Sequence, residues 1–559
     1  MTPYKDESLL HALEELDVIE KSQLAAAVTE SKNAAKPLGE VLIEKDLISD
    51  ANLGQVISEL VGAPLVRLSE IAIPIDVLNY IPEIVARKQQ AISFAHDASG
   101  VKVAMADPTN TEFLSFLKKK TGEQVKVYLA TPKDIDWALG LYKRDLQKTF
   151  DESFTEKITQ ATKQGIGEVP AKEIVDLLIE YAQANGASDI HIEPHKEQSV
   201  VRFRIDGVMH DVLRLPIALH NQVVTRIKVA AKLRTDEHLS AQDGKMQVEL
   251  STEELDIRVS IVPVIYGEKV VTRLLSSRSR QFGLTDLGMS EGDLAKVRKG
   301  FLKPYGMVLS TGPTGSGKTT SIYSILKILN TKEVNIATIE DPVEYDIEGV
   351  NQIQVNPKTN LTFSSGLRAI LRQDPNIIFV GEIRDEETAD IAVNSAMTGH
   401  LVLSTLHTND AATSLPRLMD MGIEQFLVAS TINVIIGQRL VRRICLKCRV
   451  SIDVPVASIS ENLPRDLVFK YFKGKKSIRI YKGKGCPVCH STGHTGRIGI
   501  FEVLVLTSEI RELIMAKADA DRIKQQAIKD GMMTMLEDGI RKVQKGVTTI
   551  EEILRATKE

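Results

Sequence analysis

The sequence predicts a multidomain α/β protein built around a parallel sheet that binds a nucleotide. Three observations carry that prediction. The stretch Gly312-Pro313-Thr314-Gly315-Ser316-Gly317-Lys318-Thr319-Thr320 lies between an apolar run at 307–310 and residues 321–326, whose apolar spacing suits a helix. Two later apolar strands end in carboxylates, at Glu340 and Glu382. The chain has 559 residues, 43% of them hydrophobic and 26% charged, which suits about three or four soluble domains.

Strand, glycine loop and helix form the context in which G-x-x-x-x-G-K-[ST] becomes a phosphate site. The glycines let backbone N–H groups turn inward around phosphate oxygens, and the helix N-terminus adds partial positive charge. Lys318 is expected to reach the β- and γ-phosphates, and the Thr319 hydroxyl to bind Mg²⁺. A glycine-rich connector would need neither the lysine nor the threonine.

Composition excludes several other classes. Net charge is −4, from 70 basic and 74 acidic residues, so nothing draws the whole chain to nucleic acid or anionic lipid. Aromatics make up 5%, which leaves few platforms for stacking bases. The longest apolar candidate, residues 426–437, is interrupted by Ser430, Thr431 and Asn433 and falls short of the roughly 18 residues of a membrane span. The N-terminal residues show no signal-peptide core, so a cytoplasmic protein is expected.

The chain opens on an internal repeat. Leu9, Leu13, Asp17, Val18, Ile19, Leu24 and Val28 recur 29 residues later as Leu38, Leu42, Asp46, Leu47, Ile48, Leu53 and Ile57. Each copy reads as helix, turn and helix, the second helices starting near Glu20 and Ser49, which gives a helical domain over 1–63. Residues 64–142 alternate as a small α/β domain, with strands at 101–106 and 125–130 and a helix opened by Thr131-Pro132. The charged, glutamine-rich stretch 143–169 reads as a linker.

A second α/β domain spans 170–285. Its helix starts near Ala171, and residues 188–193 and 200–209 alternate as strands. Arg202 and Arg204 share one strand face, either as a solvated edge or reaching a phosphate on a neighbouring subunit. Residues 256–260 and 269–274 are further strands that carry basic side chains on one face.

From 286 to 559 the pattern is that of the nucleotide domain. Strand 333–339 leads into Glu340-Asp341-Pro342-Val343-Glu344, and strand 376–380 into Gly381-Glu382-Ile383-Arg384-Asp385, the acidic end expected to hold Mg²⁺. A third strand, 401–405, is bracketed by His400 and His407, which either sense the γ-phosphate or are satisfied polar groups. All four cysteines fall in two C-x₂-C pairs, Cys445/Cys448 and Cys486/Cys489, separated by 37 residues. That spacing suits a closed four-thiolate Zn²⁺ cage within an insertion at 440–495, with a redox pair as the rival and His490 and His494 as substitute ligands. The basic residues Arg439, Arg442, Arg443, Lys447 and Arg449 read as solvated or interface surface. After the insertion, 497–504 returns as a strand and 508–559 as short helices.

Taken together, these motifs resemble the secretion ATPases of type II secretion systems and, more closely, the type IV pilus extension ATPases. The resemblance runs from about residue 170 to the C-terminus. It rests on the phosphate loop, the acidic box at 340–344, Leu371-Arg372-Gln373-Asp374-Pro375 leading into 381–385, the run Thr398-Gly399-His400-Leu401-Val402-Leu403-Ser404-Thr405-Leu406-His407-Thr408-Asn409, and the paired cysteines. It implies a RecA-like P-loop motor domain preceded by a small PAS-like α/β domain that clamps ATP. It also implies a homohexameric ring in the cytoplasm, held at the inner membrane through a platform protein and other pilus assembly proteins.

Glu340 and Glu382 become the catalytic and Mg²⁺-associated glutamates by that resemblance, with their order left open. Arg202 and Arg204 become arginine fingers, and Arg258 and Arg273 weaker nucleotide contacts. A retraction motor is disfavoured by the long N-terminal region and the cysteine pairs. Type II secretion and a DNA-uptake pseudopilus remain rivals, and a nucleic-acid translocase would need a basic channel. The repeat at 9–57 looks like the N-terminal domain that in some members binds cyclic di-GMP. Here Pro37 precedes Leu38-Gly39 where those binders carry arginine, and Asp17 and Asp46 occupy the turns, so the scaffold is expected without the ligand.

Overall fold

The computed structural model describes residues 3–557 apart from 17, 18, 35, 46, 49, 72, 98, 99, 140, 142–170, 251–253, 277–282, 461, 462, 487, 488 and 490. The expected linker at 143–169, the turn aspartates Asp17 and Asp46, the Ser49 helix start and His490 all lie outside the described residues. Two compact units emerge, Met1–Lys5 with Gly54–Gln281 and Asp6–Leu53 with Phe282–Glu559.

In the first unit a three-stranded sheet is built from β1 (Ala91–Asp97), β2 (Gly100–Met105) and β3 (Val125–Leu129). β3 runs parallel to β2 through the crossover helix Thr111–Thr121, which the Asn110 side chain caps by accepting the Phe113 N–H. The unit's larger sheet has six antiparallel strands: β4 (Ala187–Pro194), β5 (Gln198–Ile205), β6 (Val208–Pro216), β7 (Gln242–Glu249), β8 (Glu254–Val264) and β9 (Gly267–Ser276), in the order β6-β5-β4-β9-β8-β7. Alternation sends Ile190, Ile192, Val201 and Phe203 to one face, where they share a core with Ile174, Leu178, Val223 and Ile227 from the helices Ala171–Ala184 and Ile217–Ala230. The opposite face carries the charged partners described below.

The second unit holds a seven-stranded sheet: β10 (Gly306–Thr311), β11 (Ile336–Glu340), β12 (Val350–Gln354), β13 (Ile377–Val380), β14 (Leu401–Leu406), β15 (Ile432–Ile444) and β18 (His494–Val505), in the order β12-β11-β13-β14-β10-β15-β18. All pairs are parallel except β15 with β18. Both faces are covered, as a parallel sheet requires. Met307, Leu309, Ile378 and Val380 point to one core with Ala389 and Val393 of the helix Glu386–Met397. Val308 and Phe379 point to the other, with Ile322, Tyr323 and Leu326 of the helix Lys318–Leu329. The strand expected from Glu333 begins at Ile336. A turn precedes it, Val334 N–H to Thr331 O at 3.2 Å, while the Asn335 amide spans to Gln373 O and Asp374 O.

The long apolar run at 426–437 divides into the helix Gln425–Thr431 and the buried start of β15. Beyond β15, the insertion forms a hairpin of β16 (Arg449–Pro455) and β17 (Ser477–Gly483). It does not stand alone, because Phe472, Ile478 and Ile480 share a core with Met535, Ile540 and Ile553 of the C-terminal helices. The helical repeat appears as Asp6–Leu16, Lys21–Ala34, Leu38–Glu44 and Asp50–Val61, with Leu9, Leu13, Leu24, Leu38, Leu42 and Leu53 buried.

Candidate nucleotide site and cysteine cage

β10 ends at Thr311, and the loop that follows depends on its glycines. Gly312, Gly315 and Gly317 have φ of 146°, 78° and 89°. A Cβ on Gly312 would lie 2.3 Å from Gln438 O, so close approach to β15 also forbids a side chain there. Lys318 opens the helix, and its Nζ donates to Gly312 O at 2.7 Å and Pro313 O at 3.1 Å. Burial pushes the Lys318 pKa down to about 8, and the charge of Glu382 works in the opposite direction.

Parallel pairing sets the ends of β11, β13 and β14 alongside this loop. Glu340, the last residue of β11, is 2% exposed and accepts from Tyr323 Oη at 2.5 Å, Thr338 Oγ1 at 2.6 Å and Gln352 Nε2 at 3.1 Å. Burial raises its pKa, and those three donors work against the rise. Glu382 follows β13 and is also buried; Arg384 Nε lies 2.7 Å and His407 Nε2 3.1 Å from its Oε2. The turn carrying Glu382 is tied to β14 by Ile383 N–H to Thr405 O and Thr405 Oγ1 to Gly381 O.

The two histidines do not share a site within the chain. His407 follows the C-terminal end of β14, at the loop side. His400 precedes Leu401, which pairs with Gly306 at the far end of β10, and its Nδ1 lies 3.1 Å from Ser395 O. Six strand residues at about 3.3 Å each put them on the order of 20 Å apart. Within one subunit the two histidines therefore lie at opposite ends of β14, and His407 is the one beside Glu382.

In the first unit, Arg202 Nε pairs with Asp211 at 3.0 Å and its Nη1 with Glu193 at 3.5 Å. Arg204 and Arg273 converge on buried Asp189 at 3.5 and 3.0 Å. The two arginines do share a face, held by carboxylates on the neighbouring strands.

The four cysteine Sγ atoms lie within 4.8 Å of one another. Cys445–Cys486, Cys448–Cys489 and Cys486–Cys489 are separated by 3.8, 3.9 and 3.7 Å. A tetrahedron with metal–sulfur bonds of about 2.3 Å has edges of about 3.8 Å, so the set is compatible with zinc. Backbone N–H groups of Gly485, Cys486 and Gly493 donate to the sulfurs, as a thiolate shell needs. His494 turns Nδ1 to Thr492 O instead, outside the cluster.

Residues 165–555 match the family described as type II/IV secretion system protein, which covers the phosphate loop, both glutamates and all four cysteines. The chain belongs to that family. Two relatives of this secretion-protein family illustrate its reach. The chain is 38% identical to a type IV pilus assembly ATPase PilB of Myxococcus xanthus over 97% of both chains. It is 40% identical to a type II secretion system protein E of Xanthomonas campestris over 92% of both. The fold is also that of the solved Yersinia pseudotuberculosis ATPase DotB, with TM-score 0.52 and 20% identity over 70% of this chain and 96% of that one. An MshEN domain match covers residues 61–148, on the small α/β domain more than on the helical repeat.

Several site residues escape motif reading. Tyr323, Thr338 and Gln352 hold Glu340 from three separate elements, and only Thr338, two residues before Glu340 on the same strand face, carries a sequence signal. Arg384 lies inside the acidic motif, whose spacing assigns it no role, and pairs with Glu382.

Proposed function

We propose that the chain is an ATP-hydrolysing motor that drives assembly of a type IV pilus. The observation that carries this reading is the convergence of the phosphate loop, buried Glu340 and the Glu382–His407 pair on the ends of adjacent parallel strands. ATP is cradled by Gly312 to Thr320, with Lys318 leaving the loop carbonyls for the β- and γ-phosphates. Thr319 and Glu382 would hold Mg²⁺, and the carboxylates of Glu340 and Glu382 would orient and polarise the attacking water. Such chemistry needs positioning and charge neutralisation more than covalent catalysis. His407 orients Glu382. Arg202 and Arg204 exchange their carboxylate partners for the γ-phosphate of a neighbouring subunit in a hexameric ring. Cys445, Cys448, Cys486 and Cys489 would hold a structural zinc that ties the end of β15 to the start of β18 and takes no part in turnover. The domain bounds read from the sequence are part of the same proposal, with the 170–285 domain as the clamp.

The work goes through an inner-membrane platform protein, as the resemblance to pilus extension ATPases implies; no helix among the described residues is long and apolar enough to cross a membrane. Identity over nearly the whole of a pilus assembly ATPase favours the pilus; comparable identity to a type II secretion protein makes secretion the second reading. The test is complementation of a deletion strain with the wild type and with Lys318→Ala. Restored surface pilin by the wild type alone supports pilus assembly. Restored enzyme secretion without surface pilin overturns it in favour of type II secretion.

A further inference from the structure

Gln438 lies on β15, directly beneath the phosphate loop, and is fully buried. A buried amide is costly unless both its ends are used. Its backbone carbonyl is the atom that excludes a side chain from Gly312. Its side-chain Nε2 lies 2.7 Å from a Cβ built on Gly317, whose φ of 89° itself disfavours a side chain. The first and last loop glycines therefore both rest on this one residue. The amide's orientation is fixed from the other end, because Ser321 Oγ in the first turn of the following helix donates to Oε1 at 2.6 Å. The electropositive Nε2 end therefore faces Gly317, the residue from which the helix starts, and finds no acceptor among the described residues.

We propose that Gln438 is a positioning residue for the bound nucleotide: its amide, oriented by Ser321, sets the height of the loop at Gly317 and adds positive potential beneath the phosphates. The idea rests on the ATP site proposed above. An apolar residue would fill the same volume without orienting anything. A glutamate would place a negative charge under the phosphates. The helix N-terminus already favours an anion there, and the amide acts in the same direction from below.

Gln438→Met, Ser321→Ala and the double variant separate positioning from simple packing. Gln438→Met strands the Ser321 hydroxyl, so it lowers Tm, whereas the double variant removes both partners and recovers most of that loss. Melting curves, steady-state phosphate release and Mg²⁺·ADP affinity are measured on the full chain. The expected result is a double variant that melts close to the wild type and keeps a KM for ATP and a Kd for ADP raised about tenfold, with kcat within about twofold. A double variant with wild-type KM and Kd overturns the proposal, as does a loss of affinity that recovers together with Tm. Absence of hydrolysis by the wild type would instead count against the ATPase reading, and the ADP affinities would still decide the role of Gln438.

Discussion

Tyr323 donates its hydroxyl hydrogen to Glu340 across 2.5 Å, from the first turns of the helix after the phosphate loop to the end of β11. Burial and the neighbouring Glu340 carboxylate raise the tyrosine pKa, so it remains a donor throughout the working range. Burial also raises that of Glu340, against which Tyr323 is one of three donors. Tyr323→Phe removes a donor to the charged form, so the Glu340 pKa rises further. The acid limb of the kcat/KM profile for ATP is expected to move up by about one pH unit, with little change near pH 8. An unmoved limb would show that Glu340 ionisation does not govern turnover.

His407 and His400 are expected to separate in function as they do in space. His407 touches the carboxylate of Glu382 and His400 a backbone carbonyl at the other end of β14. His407→Ala should lower kcat by about 10²-fold with KM changed by less than about threefold, since it orients a group used in the transition state. His400→Ala should leave single-site nucleotide affinity unchanged. Phosphate-release kinetics and Mg²⁺·ADP titration on both variants decide the matter.

Glu552 locks the C-terminal helix to β15. Burial alone would raise its pKa, but hydrogen bonds from Arg442 and Arg555 pull it from 4.5 down to about 2. A depressed carboxylate contributes stability that is present above the unfolded pKa and lost as pH falls from about 4.5 through about 2. That difference corresponds to ~3 kcal/mol at neutral pH. Glu552→Gln should cost about that much in urea unfolding at pH 7, and the gap to the wild type should narrow steadily below about pH 4.5.

The cysteine cage predicts about one zinc per chain by metal analysis of purified protein. Cys445→Ser or stripping with a strong chelator should lower Tm, and the loss should spread to the C-terminal helices, which share the insertion's core. A metal-free preparation with unchanged Tm would remove the cage from the structural framework.

The parallel sheet and its site were legible because each strand declares itself twice, by an unbroken apolar run and by the polar residue that ends it. Glu340, Glu382 and Lys318 could be placed on that basis alone. The paired cysteines were legible for a similar reason, as fixed short spacing makes a cage. His400 and His407 look paired in the sequence, but a strand carries its two ends apart, whereas a helix turn would keep them together. Tyr323, Gln352 and Gln438 carry no local signature. Their roles arise only when the Lys318–Leu329 helix and β12 pack against the end of β11, and β15 against the loop. The insertion carries cysteines whose pairing is local in sequence. Its dependence on Met535, Ile540 and Ile553 is a long-range fact.

Steady-state phosphate release from Mg²⁺·ATP, by the wild type beside Lys318→Ala and Glu382→Ala, bears most directly on the motor reading. Turnover by the wild type that falls at least about 10²-fold in both variants is predicted. Tight ATP binding with no phosphate release above the level of the variants would contradict it and leave a nucleotide-dependent binding protein.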